Sequence, residues 1–153
     1  MSRWTRDADA ALGVVASAIL LGMMLLTVAD VVGRYVFNRP VRGAFEVTEL
    51  TLLVLIFAGL PLVSLADEHA VMDFVDRVLS ARARRFLAGA VQGLCAAFML
   101  LLAWLLWLKA DRIWAYRDAT DVLRILYGPF VYFMAVMCAV AGVLHLGRMA
   151  RPR

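Results

Sequence analysis

Four long stretches without a charged residue constrain the fold of this chain more than any other feature. They cover residues 10–29, 50–66, 86–108 and 125–147, and are 20, 17, 23 and 23 residues long. An α-helix rises about 1.5 Å per residue, so about 20 residues are needed to cross a hydrocarbon layer about 30 Å thick. The second stretch is short, but Val47 and Thr48 extend it beyond Glu49. The pattern therefore predicts four transmembrane helices.

The composition agrees with a membrane protein. Apolar residues make up 64% of the chain, and the mean hydropathy is +0.82, whereas a soluble domain is about half apolar. An ordinary soluble enzyme, a disordered tail and a disulfide scaffold are excluded. We expect one all-α integral membrane domain over residues 1–153, with spans at about 10–32, 47–66, 86–108 and 125–147. The first span is longer than the apolar core of a signal peptide, so we expect it to be retained.

The linker after the second span contains an amphipathic pattern. Its apolar residues recur at helical spacing, as Val71, Phe74, Val75 and Val78, and its acidic residues lie off that stripe. Such a segment between two spans is expected to lie flat in the membrane interface with its apolar face in the lipid. We predict a short interfacial helix over about 70–79.

Small residues form a stripe in the third span. Gly89, Gly93 and Ala97 follow each other at intervals of four residues. Small residues allow two membrane helices to approach closely. Packing within the bundle and docking of a partner subunit both remain open for this stripe. Gln92 is expected to form a hydrogen bond across helices.

The first linker is rich in charge, and we predict that it contacts a partner protein. Asp30 and Arg34 are placed for an ion pair on one helix face. Glu46 and Glu49 lie near the start of the second span, where the helix dipole favours carboxylates. A metal site is not predicted there, because no histidine or third ligand is near. The predicted contact residues are Arg34, Arg39, Arg42, Glu46 and Glu49, together with Gly89 and Gly93 of the small-residue stripe.

Ionisable residues avoid the middle of every predicted span. Ion-coupled carriers and proton relays place such groups at depth. We therefore expect no catalysis, no cofactor and no metal on this chain. The basic excess lies at the C-terminal membrane flank, at Arg148, Arg151 and Arg153. This placement predicts contact with the lipid bilayer and not with nucleic acid.

Two other functions stay open from the residues alone. His69 and His145 could ligate a haem between the second and fourth helices, which would make the chain a four-helix redox membrane anchor. A small multidrug exporter would need a carboxylate deep in a helix, but Asp30 stands at a helix end.

Three linker motifs resemble those of a known family. They are Arg34-Tyr-Val-Phe-Asn-Arg-Pro40 followed by Gly43-Ala-Phe-Glu46-Val-Thr-Glu49-Leu, then His69-Ala-Val-Met-Asp73, and more loosely Leu123-Arg-Ile-Leu-Tyr-Gly-Pro129. With the four-helix layout, they resemble the small (DctQ-type) membrane subunit of tripartite ATP-independent periplasmic (TRAP) transporters. Many relatives carry Trp-x-Glu-Glu where this chain has the segment from Gly43 to Glu49.

The resemblance implies a system of three proteins in the bacterial inner membrane and periplasm. A periplasmic solute-binding protein captures an organic acid, and a large membrane subunit carries it inward with sodium. Sodium coupling is thus expected on the large subunit. The small subunit binds the large one and supports it as a scaffold.

The basic residues also predict the orientation of the chain. Lys and Arg favour the cytoplasmic side of a membrane, and the Arg82–Arg85 cluster and the C-terminal tail abut span ends. Both termini are therefore predicted to be cytoplasmic. Reporter fusions should place Ser80 and Arg153 in the cytoplasm and Asn38 and Asp118 in the periplasm. A periplasmic signal from the Ser80 fusion would contradict this orientation.

Overall fold

The computed structural model describes residues 3–65 and 81–149, and within these ranges it has four helices and no strand. They are α1 (Arg3–Tyr35), α2 (Ala44–Leu65), α3 (Ala81–Tyr116) and α4 (Gly128–Met149). Each contains a stretch long and apolar enough to cross a membrane. The prediction of an all-α, four-span protein is confirmed. The predicted interfacial helix, with Val71, Phe74, Val75 and Val78, lies outside the described residues, as does His69.

The helices and the predicted spans differ at their ends. α1 begins at Arg3 and α3 continues to Tyr116, because charged residues end a membrane span without ending a helix. α4 begins at Gly128, three residues later than the charge-free stretch indicates. Residues 125–127 belong to the loop before the helix, and Pro129 lies in the first turn of the helix, where a missing N–H costs nothing.

The chain divides into two compact units. One comprises the residues up to Leu55 and the segment Ala119–Leu126, and thus α1, the loop after it, the first half of α2 and part of the loop before α4. The other comprises Ile56–Asp118 and the residues from Tyr127 onward.

In the second unit, α3 and α4 pack through small side chains. Ala96, Ala103 and Ala110 of α3 are buried and lie seven residues apart. The buried side chains of α4 include Val131, Ala135, Cys138 and Ala141. Alanine at such a seam lets the two backbones approach, which strengthens van der Waals contact where lipid offers no hydrophobic driving force.

The predicted glycine stripe does not form this seam. Ala97 is exposed, and a Cβ added to Gly89 would meet nothing within 4 Å in the described structure. At these two positions the internal packing therefore uses a neighbouring face of α3.

One polar network joins three helical segments of the second unit. Nδ1 of His145 lies 2.6 Å from Oε1 of Gln92, and Nε2 lies 3.2 Å from Oγ of Ser64. The Ser64 hydroxyl also lies 2.9 Å from the Leu60 carbonyl oxygen, to which it donates. The predicted bond of Gln92 across helices is confirmed. Each polar group thereby finds a partner in an apolar environment that would otherwise penalise it.

The start of α4 fits under an aromatic ring of α3. Gly128 is buried, and a Cβ at this position would lie 2.7 Å from Cε3 of Trp114. Trp114 and Trp107 both meet the Tyr132 ring edge-on, with centroids 6.5 and 5.2 Å away. The Tyr132 hydroxyl donates to Asp111 at 2.5 Å. Only glycine allows this close approach at position 128.

α1 is the least buried helix of the chain. No residue from Gly13 to Tyr35 is buried by the described structure. Its apolar side chains, such as Leu21, Leu25 and Val28, are about half exposed. In a membrane this surface must be covered by lipid or by another protein.

Replacing Gly128 by alanine should destabilise the chain, because the new methyl group displaces the Trp114 ring. Overpacking of this kind costs about 1–3 kcal/mol. Gly147→Ala is the matched control, since a Cβ there meets nothing within 4 Å and alanine favours the helix. Unfolding of the purified subunit in increasing SDS, followed by circular dichroism, measures both. Equal stability of the two variants would contradict the packing at Gly128.

Candidate functional site

A buried carboxylate organises the end of the first unit. Glu46 lies in the first turn of α2, as predicted, and only 8% of its surface is exposed. Its two oxygens accept hydrogen bonds from the backbone N–H groups of Val122, at 2.6 Å, and Leu123, at 2.9 Å. Both groups belong to the loop between α3 and α4. Hydrogen bonds to an ionised carboxylate are among the strongest in proteins, so Glu46 holds this loop against the start of α2.

The loop is shaped so that these amides are available. Ala119 and Leu126 form an antiparallel bridge. Inside it, the Thr120 N–H donates to the Ile125 carbonyl at 2.9 Å, and the Ile125 N–H donates to Oγ1 of Thr120 at 3.0 Å. Thr120 is 1% exposed. The turn at the tip therefore presents its N–H groups to the carboxylate.

Gly43 makes room for this loop. Its φ is +77°, a conformation that strains any residue with a Cβ. A Cβ here would also collide with the Leu123 side chain. The Gly43 carbonyl meanwhile accepts the Val47 N–H at 3.0 Å at the start of α2.

A second carboxylate holds the loop between α1 and α2. Asp30 pairs with Arg34 at 2.8 Å, which confirms the predicted ion pair, and also accepts the Val41 N–H at 2.9 Å. The Arg39 N–H donates to the Gly33 carbonyl at 2.8 Å. Asn38 adopts a φ of +51° where the helix ends. The loop thus folds back over the last turn of α1.

Both loops lie at the same end of the first unit, because Glu46 follows one of them and binds the other. A four-span chain requires this arrangement. The assignment of this end to the periplasm remains a prediction.

The surface beside Glu46 combines arginine with exposed aromatic residues. We call it the loop surface, and it consists of Arg34, Phe37, Arg39, Arg42, Phe45 and Glu49. Phe37 is 68% and Phe45 80% exposed. In the part of the chain that the structure describes, Arg39 and Arg42 form no ion pair. Arginine and aromatic residues are enriched where proteins bind one another.

The structure separates the predicted contact residues into three groups. Arg34, Arg39, Arg42 and Glu49 are exposed on the loop surface. Gly89 and Gly93 lie on α3, in the other unit. Glu46 is turned into the chain and holds the loop before α4, and its contact with a partner stays a prediction.

The described residues offer no metal site, since no three His, Cys, Asp or Glu side chains among them are grouped to hold an ion. Both ring nitrogens of His145 are engaged by Gln92 and Ser64. His145 therefore joins helices through hydrogen bonds. Its geometry does not support the hypothesis that it ligates a haem.

Comparison with known families agrees with this architecture. Residues 23–153 match the DctQ component of the tripartite ATP-independent periplasmic transporters. The chain belongs to the DctQ family. No curated protein matches it. The DctQ component is the small membrane subunit of a TRAP transporter and works with a large membrane subunit and a periplasmic binding protein. With four apolar helices, the chain is a multi-pass inner membrane protein.

Replacing Glu46 by alanine should release the loop between α3 and α4. Loss of a charge-assisted hydrogen bond should speed local opening by about tenfold or more. Limited trypsin digestion reports this opening as cleavage after Arg124, and mass spectrometry identifies the fragment. Glu46→Gln, which keeps one acceptor oxygen, should be intermediate. Glu49→Ala is the matched control, and faster cleavage in that variant by the same factor would contradict the role of Glu46.

Proposed function

We propose that this subunit is a non-catalytic scaffold in a sodium-coupled, binding-protein-dependent transporter of organic acids. One observation carries the proposal. In the described spans, Asp, Glu, Lys and Arg are absent from 13–29, 50–65, 86–108 and 128–147. Binding sites for sodium or a carboxylate solute at membrane depth need ionisable or polar groups that face a pathway.

Four polar side chains of the described spans are already hydrogen-bonded. Ser64, Gln92 and His145 bond to one another, and Thr27 donates to the Met23 carbonyl at 2.9 Å. In the described residues, no buried side-chain nitrogen or oxygen lacks a partner. This favours solute and sodium sites on the large subunit.

Packing supports a mechanical role. A carrier domain that moves across the membrane must be held against a part that stays in place. The alanine seam between α3 and α4 favours rigidity within the second unit, and the two carboxylate-held loops favour it within the first. The exposed apolar face of α1 and the small-residue stripe of α3 offer membrane surfaces to the large subunit.

The loop surface is suited to contacts outside the membrane. Arg39 and Arg42 are free of intrachain ion pairs in the described structure, and the neighbouring Phe45 is exposed. We infer that this surface contacts the large subunit and the docked periplasmic binding protein. Charged contacts of this kind set association rate and register more than affinity.

The scaffold role can be tested by reconstitution. Proteoliposomes with the large subunit should take up solute with its binding protein and a sodium gradient only when the small subunit is present. Calorimetry on the purified small subunit should show no saturable binding of sodium or solute. Full uptake without the small subunit, or saturable binding to it alone, would refute the proposal.

Substitutions on the loop surface test the partner contact. Arg42→Gln and Glu49→Gln should each lower the yield of the complex or the uptake rate several-fold. Solute capture by the periplasmic protein should not change. Arg117→Asn is the matched control, because it removes one exposed charge and asparagine tolerates the φ of +53° at that position. A loss of the same size in the control would show that the loop surface has no special role.

A further inference from the structure

A cleft with two cations lies at the end of α3, in the second unit. Its volume is about 530 Å³, and its lining includes Leu105, Leu108, Lys109, Arg112, Tyr116 and Asp118. The Asp118 backbone belongs to the loop before α4, where its carbonyl accepts the Tyr127 N–H at 3.0 Å, but none of these side chains is among the buried residues of the seam between α3 and α4.

The lining changes from apolar to cationic along the helix axis. Positions 105, 108, 109, 112 and 116 recur at intervals of three or four residues, so they share one face of α3. Leu105 and Leu108 are about half exposed, and Tyr116 is 76% exposed. The 20 residues from Gly89 to Leu108 span about 30 Å of helix, the thickness of the hydrocarbon layer. Lys109 therefore begins the headgroup layer, where Trp and Tyr are also favoured.

The positive charge of the cleft is only partly compensated within the described chain. Neither Lys109 nor Arg112 forms an ion pair there. Asp111, on a neighbouring face, accepts the Tyr132 hydroxyl. Asp118 on the rim offsets one of the two cations, which leaves one net positive charge.

We propose that this cleft binds an anionic phospholipid. The lipid phosphate lies between Lys109 and Arg112, whose donors match phosphate oxygens. An acyl chain follows the deeper apolar half past Leu105 and Leu108. A free phosphate would use neither leucine, and an acidic protein segment would match the cations but not the apolar half. Such a lipid holds the end of α3 at one depth in the membrane, whatever the subunit does in transport.

Native mass spectrometry of the delipidated full chain in detergent tests the site. Equimolar phosphatidylglycerol and phosphatidylcholine are added, and the ratio of the two bound forms is measured. The wild type should prefer phosphatidylglycerol, and K109Q/R112Q should reduce the preference by about tenfold, as expected for the loss of two basic residues near a headgroup. R39Q/R42Q removes the same charge from the loop surface and should keep the wild-type ratio.

Two further arms distinguish a bound lipid from a folding defect and from a free phosphate. The exchange variant K109R/R112K keeps both charges and should keep the preference for phosphatidylglycerol. A loss seen only in K109Q/R112Q is then assigned to the missing charge and not to a folding defect. Glycerol 3-phosphate at the lipid concentration should not displace bound phosphatidylglycerol. An equal ratio of the two lipids on the wild type, an equal loss in both neutral variants, or displacement by glycerol 3-phosphate would overturn the proposal.

Discussion

The contact between Glu46 and the loop before α4 determines much of what this chain presents at one membrane surface. Backbone N–H groups of a loop need partners as much as those of a helix do. At Val122 and Leu123, a carboxylate 76 and 77 residues away in sequence supplies them. Gly43 provides the space, and Thr120 shapes the hairpin so that its tip faces Glu46. The start of α2 and the loop before α4 are thereby joined. The arginines of the loop surface therefore lie next to a segment whose position is fixed.

The same rule explains why the spans hold little chemistry. Polar groups in an apolar environment are costly unless they are paired, and four polar side chains of the described spans are paired with each other or with the backbone. Charge is displaced to the helix ends and loops, where partners and lipid headgroups are. A subunit of this kind contributes surfaces to a transporter, which agrees with its membership of the DctQ family.

Several features could be predicted because they depend on local spacing. Charge-free stretches identify the four spans, the interval between Asp30 and Arg34 predicts their ion pair, and the lone amide of Gln92 predicts a bond across helices. The alanine seam could not be predicted, because every face of a membrane helix is apolar and Ala96 or Ala103 does not stand out. The bonds of Glu46 to Val122 and Leu123 and the close approach of Gly128 to Trp114 could not be predicted either, since they join residues distant in sequence.

Amide hydrogen exchange of Val122 and Leu123 tests the arrangement around Glu46 most directly. The measurement uses the full chain in lipid nanodiscs, with fragments that resolve these two amides. The structure predicts that both exchange slowly, as bonded groups do, although they lie at the tip of a loop whose side chains are exposed. Exchange at the rate of an open loop would contradict the contact with Glu46.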